Sequence, residues 1–144
     1  MLTKAIIIFI AYLLGSIPFG YLFARYKKID IRQHGSGNIG ATNVFRILGP
    51  QAGITVFILD MLKGTFAGYL SMHFSHNPWF FVICGFAAVI GHSYSVFLKF
   101  SGGRGVATGL GFLLAVAPDV FIFASIACCK LSMTIQDVYR KGNP

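Results

Sequence analysis

The sequence predicts an all-α, polytopic transmembrane helix bundle with about four membrane segments, on three observations. Of its 144 residues, 56 % are hydrophobic and only 11 % are charged, a mixture that a water-soluble chain of this length cannot arrange without a greasy surface. Four apolar stretches, at about 5–24, 52–72, 78–98 and 106–127, each reach the roughly 20 residues that a helix needs to cross the hydrocarbon. The cations Arg25, Lys27, Lys28, Arg32 and Arg46 gather behind the first stretch, as the positive-inside rule expects of a cytoplasmic loop.

The first stretch, Ala5 to Ala24, superficially resembles a signal peptide, because Lys4 precedes it and Gly15-Ser16 looks like a small-residue site. Its apolar character continues through Ile17 to Phe23, however, and the strong positive cluster lies on its C-terminal side. It is therefore read as a membrane helix with the N-terminus outside. Alternating the crossings then puts the basic, glycine-rich loop 25–51 and the shorter glycine-rich loop 99–105 on the cytoplasmic face, with a polar turn at 73–78 on the other. Gly64-x-x-x-Gly68 and Gly105-x-x-x-Gly109 supply small-residue faces for close helix approach.

From Cys128 to Pro144 the apolar pattern stops, and Lys130, Arg140 and Lys141 fall on the side where the topology expects few cations. The segment 128–144 is accordingly read as a polar tail distinct from the membrane domain 1–127. Cys84, Cys128 and Cys129 match neither a disulfide framework nor metal-ligand spacing, so neither metal nor cofactor is expected. His34, His73 and His76 are loop residues with no partner spacing. The excess of 12 Lys and Arg over 4 acidic residues, all of them Asp, points to anionic lipid or phosphate-bearing substrates, and the membrane reading argues against nucleic acid.

The densest chemical signal is the run Gly35 to Arg46, in which glycines alternate with Ser36, Asn38, Thr42 and Asn43. Such a run can turn its backbone N–H groups into an anion cradle, with hydroxyl and amide side chains as hydrogen-bonding groups and Arg46 as a bidentate fork for phosphate. It lacks the G-x-x-x-x-G-K-[ST] pattern, so no nucleotide P-loop is implied. Ser101 to Thr108 is a second cluster, where Gly102, Gly103, Arg104 and Gly105 open the last apolar stretch and a helix N-terminus offers free N–H groups. Asp60 and Lys63, three residues apart inside the second stretch, share one helical face, and His92 lies at the end of the third. Charges at membrane depth are expensive, so Asp60 and Lys63 are read as a paired, inward-facing support for the site or as an ion pair that holds the bundle together, and His92 as a proton-transfer group or a hydrogen-bonded core histidine.

The runs Gly35-Ser-Gly-Asn-Ile-Gly-Ala-Thr-Asn with Arg46, Asp60-Met-Leu-Lys-Gly64 and Gly91 to Thr108 together closely resemble the bacterial acyl-phosphate-dependent glycerol-3-phosphate acyltransferases, the PlsY family. The resemblance covers about residues 5 to 126 and rests on the order and spacing of the three runs. It implies transfer of a fatty acyl group from acyl phosphate to the 1-hydroxyl of glycerol 3-phosphate, giving lysophosphatidic acid in phospholipid biosynthesis at the bacterial cytoplasmic (inner) membrane. It also implies catalytic roles for Ser36 and Arg46, and phosphate binding by Asn38, Gly102, Gly103, Arg104 and Gly105.

Two features depart from the family. Arg104 stands where a lysine is usual, and nothing in 128–144 matches the further helices, serine and histidine-asparagine motif with which relatives continue. The chain is therefore expected to be truncated or frameshifted after about residue 127, and to insert in membranes with little or no turnover. Two other readings remain: an inactive fragment of that enzyme, and a small anion transporter gated by Asp60 and Lys63.

Overall fold

The structure, a computed structural model, describes residues 1–127 together with Lys130 and Leu131. The described residues are helical, with no strand and one isolated bridge between Ser95 and Ser101. Helices α1 (Leu2–Ser16) and α2 (Phe19–Tyr26) replace the single first segment. Pro18 disfavours helical geometry in the residue before it, and Ile17 is correspondingly extended, with φ −59° and ψ 116°. The loop expected over 25–51 is partly helical: a 3-10 turn at Ile31–Gln33 precedes α3 (Ala41–Leu48).

Gly49, at φ 87°, turns the chain into α4 (Pro50–Phe74), whose 25 residues rise about 37 Å and start on a proline that needs no N–H partner there. Helix α5 (Pro78–Ser93) opens with the Asn77 side chain accepting from the Trp79 N–H at 2.9 Å. It ends five residues before the expected limit, because residues 94–103 fold into a tight loop containing the 3-10 turn Val96–Leu98. The expected segment 106–127 is likewise two helices, α6 (Val106–Val116) and α7 (Pro118–Ala127), parted at Ala117, the residue before Pro118. The polar tail expected over 128–144 lies outside the described residues apart from Lys130 and Leu131.

Leu2–Tyr26, taken across its break, and Pro50–Phe74 are long and apolar enough to cross a bilayer, while α5, α6 and α7 are apolar and shorter. Large apolar side chains such as Phe9, Ile58, Phe66, Ile83, Phe86 and Ile90 are exposed around the bundle, the arrangement expected where the surrounding solvent is lipid. Helix α4 is the hub, touching α1, α3, α5 and α6.

Close approach is made through small residues, since helices in lipid gain little from burying apolar surface against one another. On α4, Gly64 lies against the Thr108 carbonyl and Phe112 N–H, and Gly68 against Ala115. Gly111 returns the contact from α6 onto the backbone of Met61, and Thr65 Oγ1 donates across the same seam to the Gly111 carbonyl at 2.8 Å. Gly15 on Ala88 and Gly91 on the Tyr12 carbonyl bring α1 and α5 together in the same way. The Gly64/Gly68 face is thus a packing seam as expected, but the α6 side of it is Gly111 and not the Gly105/Gly109 pair. Gly109 only meets Val89 Cγ2 at an ordinary 3.7 Å, and Gly105 caps α6 at φ 72°.

This difference is testable by thermal denaturation in detergent. Gly64→Ala drives a methyl into the α6 backbone and is expected to destabilise by about 1–3 kcal/mol, whereas Gly109→Ala is expected to stay within about 0.5 kcal/mol of the parent.

Candidate active site

The glycine loop is built by one side chain. Asn43, 2 % exposed on the first turn of α3, accepts the Ser36 N–H on Oδ1 at 3.0 Å. Its Nδ2 is shared among the carbonyls of His34 (3.0 Å), Asn38 (2.9 Å) and Ile31 (3.4 Å). Asn43 was read from sequence as a group offered to phosphate; its hydrogen bonds are instead spent inside the loop. Gly35 and Gly37, at φ 61° and 70°, make the turns that bring those carbonyls to it, and Asn38 Oδ1 closes the loop onto α3 by accepting the Gly40 N–H at 2.7 Å.

The cations of this region separate into two groups. Arg32 is folded back on Asp30, with N–O distances of 2.9 and 2.7 Å, and lies over the Tyr21 ring. Its guanidinium holds the Asp30 carboxyl down at about 2, while the Arg32 pKa itself is raised by that hydrogen bond. Arg46 and Arg104 are exposed and have no hydrogen bond or ion pair within the described chain, so both forks are available to an anion.

These two arginines face a common cavity of about 310 Å³. Ser36, Asn38, Thr42, Asn43 and Arg46 line one side, Arg104 and Gly105 the other, and Asp60 and His92 the floor. Phe57, which no pattern in the sequence singled out, completes the wall. The cavity opens at the start of α4, the end of α5 and the start of α6, so both glycine-rich segments meet at one end of the bundle.

Gly102 and Gly103 do not line it. Gly102 packs on the His92 and Ser93 carbonyls, Gly103 on the His92 ring, and the Gly103 N–H is already used by the His92 carbonyl at 3.1 Å. Their smallness serves the approach of the 99–105 loop to α5, and of this loop's glycines only Gly105 reaches the cavity.

Beneath the floor, Lys63 Nζ lies 2.7 Å from Asp60 Oδ1, in a contact close in distance but poorly aligned for a hydrogen bond. The ammonium donates to the Ile17 carbonyl at 2.8 Å and approaches His92 Nδ1 at 2.9 Å. Thr108 Oγ1 stands 3.3 Å from the same nitrogen. The Asp60–Lys63 pair expected from its spacing is therefore present and inward-facing. The partners that sequence reading missed are Thr108 and a backbone carbonyl, and the signal for the latter was Pro18 inside an apolar run.

Replacing Asn43 with Leu leaves the Ser36 N–H and the Asn38 carbonyl without their partner, while the Ile31 and His34 carbonyls keep the N–H groups of His34 and Gly37. Amide exchange at Ser36 is expected to accelerate at least about tenfold, while the amides of α4 exchange as before; hydrogen exchange read by mass spectrometry checks this.

A family model described as glycerol-3-phosphate acyltransferase matches residues 5–140, which includes most of the stretch read as a separate tail. A glycerol-3-phosphate acyltransferase of Bacillus cereus (strain G9842) is 48 % identical over 142 residues, covering 96 % of this chain and 70 % of its own. That of Aquifex aeolicus is 48 % identical over 119 residues, covering 82 % and 62 %. The crystal structure of PlsY, an integral membrane glycerol 3-phosphate acyltransferase, superposes in its glycerol 3-phosphate form with a TM-score of 0.85 at 44 % identity, over 91 % of this chain and 66 % of that one. Its lysophosphatidic acid form gives 0.78 at 46 % identity, over 86 % and 62 %. The chain thus spans about two thirds of the length of the solved structures it matches. Sharing their helical bundle and nearly half of the residues along the aligned stretch, it belongs to the glycerol-3-phosphate acyltransferase family.

Proposed function

We propose that the protein moves a fatty acyl group from acyl phosphate to the 1-hydroxyl of glycerol 3-phosphate, releasing lysophosphatidic acid and inorganic phosphate at the cytoplasmic face of the bacterial inner membrane. What carries the reading is the convergence of two unpaired guanidinium groups, Arg46 and Arg104, on one cavity at the end of a membrane bundle. Both substrates carry phosphate, and a pair of planar forks suits two anions. The cations Arg25, in the last turn of α2, and Lys27 and Lys28, just after it, lie at the end of α2 that leads to the site. This supports a cytoplasmic site with the N-terminus outside.

Acyl phosphate is an activated acyl donor. The hydroxyl oxygen forms a bond to the acyl carbonyl carbon while the bond from that carbon to the phosphate oxygen breaks, so the protein has mainly to hold both reactants in line and to stabilise charge as it develops. In this reading Arg46 and the Ser36 hydroxyl act on the reacting end, because Asn43 ties the loop that holds Ser36 to α3, which carries Arg46. Arg104, Gly105 and Asn38 take the phosphate of the acceptor. The rival anion path has less support, because the Lys63 ammonium that would gate it is spent on Ile17 and His92.

Two preparations separate the chemistry of the site from the extent of the chain: residues 1–144, and residues 1–127 continued with the C-terminal part of the Aquifex aeolicus relative. Lysophosphatidate formed from acyl phosphate and glycerol 3-phosphate by either supports the reaction, and none above background from both overturns it. In whichever preparation turns over, Arg46→Ala and Ser36→Ala are each expected to lower kcat about 10²–10³-fold. Near-normal rates in both variants would reduce the first loop to a connector.

A further inference from the structure

Two polar groups of the cavity floor lack a hydrogen bond within the described chain: Asp60 Oδ1, which has only its ion-pair contact with Lys63, and His92 Nε2, which has no contact of that kind. Its opposite nitrogen is crowded. Lys63 Nζ lies 2.9 Å from Nδ1, Thr108 Oγ1 lies 3.3 Å away, and the nearest carboxylate oxygen, Asp60 Oδ1, is at 3.6 Å, beyond hydrogen-bonding distance. An ammonium has protons to give and no lone pair to receive one, so toward Lys63 the Nδ1 can only accept. A neutral imidazole that accepts at Nδ1 carries its proton on Nε2.

The position of Nε2 then matters. His92 is 5 % exposed, lines the cavity, and turns Nε2 toward Gly103, where a Cβ would collide with it. A donor so placed sits beside the segment that presents Arg104 and Gly105 to the same cavity.

We propose, resting on the acyltransferase reading, that His92 Nε2–H donates to a phosphate oxygen of bound glycerol 3-phosphate, and that Lys63 is the positioning residue that sets this tautomer. Lys63 touches no substrate. It acts through the imidazole, and its hold on the Ile17 carbonyl fixes it to the break between α1 and α2. Asp60, 2 % exposed, balances the buried ammonium without taking the histidine proton. Gly103 keeps the neighbouring backbone out of the way of Nε2.

The test uses the 144-residue chain in detergent with ¹⁵N-labelled histidine, the His92 signals being assigned through His92→Gln. Without ligand, long-range N–H correlations are expected to show His92 protonated at Nε2 and bare at Nδ1, and the Asp60→Asn/Lys63→Met double variant to show a mixture. A proton on Nδ1 in the parent overturns the proposal, as does an unchanged tautomer in the double variant. On titration with glycerol 3-phosphate the parent Nε2 signal is expected to move, and binding without such a movement also overturns it. By calorimetry His92→Gln, whose amide nitrogen reproduces the place of Nε2, is expected to keep the affinity within about threefold. His92→Asn, which reproduces Nδ1 instead, is expected to lose on the order of tenfold or more, the usual worth of a hydrogen bond to a charged group; equal affinities would count against the proposal. The parent's own spectra decide the matter even if a variant fails to fold. Should the parent show the Nε2–H tautomer and yet bind no glycerol 3-phosphate, the phosphate contact falls and the tautomer assignment stands, while the acyltransferase reading is decided by the turnover of the two preparations above.

Discussion

The structure depends on a buried ammonium. Lys63 lies deep in the bundle, 3 % exposed, and a charge there is tolerable only if its protons are all engaged. Its neighbours come from three places: Asp60 one turn back on α4, His92 at the end of α5, and the Ile17 carbonyl at the break between α1 and α2. Satisfying one cation therefore ties three membrane elements at a fixed depth. Because Asp60 and His92 are also the floor of the cavity, the same constraint sets how deep the site is.

Around that point, small residues set the spacing. Gly64 and Gly68 let α6 approach α4 until backbone meets backbone, and Gly15 and Gly91 do the same for α1 and α5. A bundle this close has little room for rearrangement, because each seam is lined by main chain that cannot be repacked as side chains can. Thr108 shows the link between packing and chemistry: its carbonyl lies against Gly64 while its hydroxyl reaches His92. The α4/α6 seam thus sets the distance of Arg104 and Gly105, at the start of α6, from the floor.

Much of this was legible in the residues. Long apolar runs, the cluster from Arg25 to Arg46 and charges three apart within a span each announce themselves through lipid solvation, and the motifs placed Ser36, Asn38, Arg46, Arg104 and Gly105 before the fold was known. The boundaries were less legible. Hydropathy does not register a proline that keeps the run apolar, so the breaks at Pro18 and Pro118 vanished into continuous segments, and glycine content hid the helix Ala41–Leu48 inside a loop. Asn43, Gly102 and Gly103 show a subtler limit. Residue types that suit phosphate also suit the tight turns around a phosphate site, and only the hydrogen-bond partners tell which use a residue has. Asn43 serves the loop, and Gly103 yields space to a histidine.

The arginine at position 104 follows from the same electrostatics. With Asp60 matched to Lys63, the cavity has no free carboxylate on its lining, and Arg46 and Arg104 face it as an excess of positive charge. A guanidinium spreads its charge over a plane that is more weakly hydrated than an ammonium and presents paired N–H donors to a phosphate. Two such forks on one cavity therefore meet an anion with geometry as well as charge, which is the difference an arginine makes at position 104.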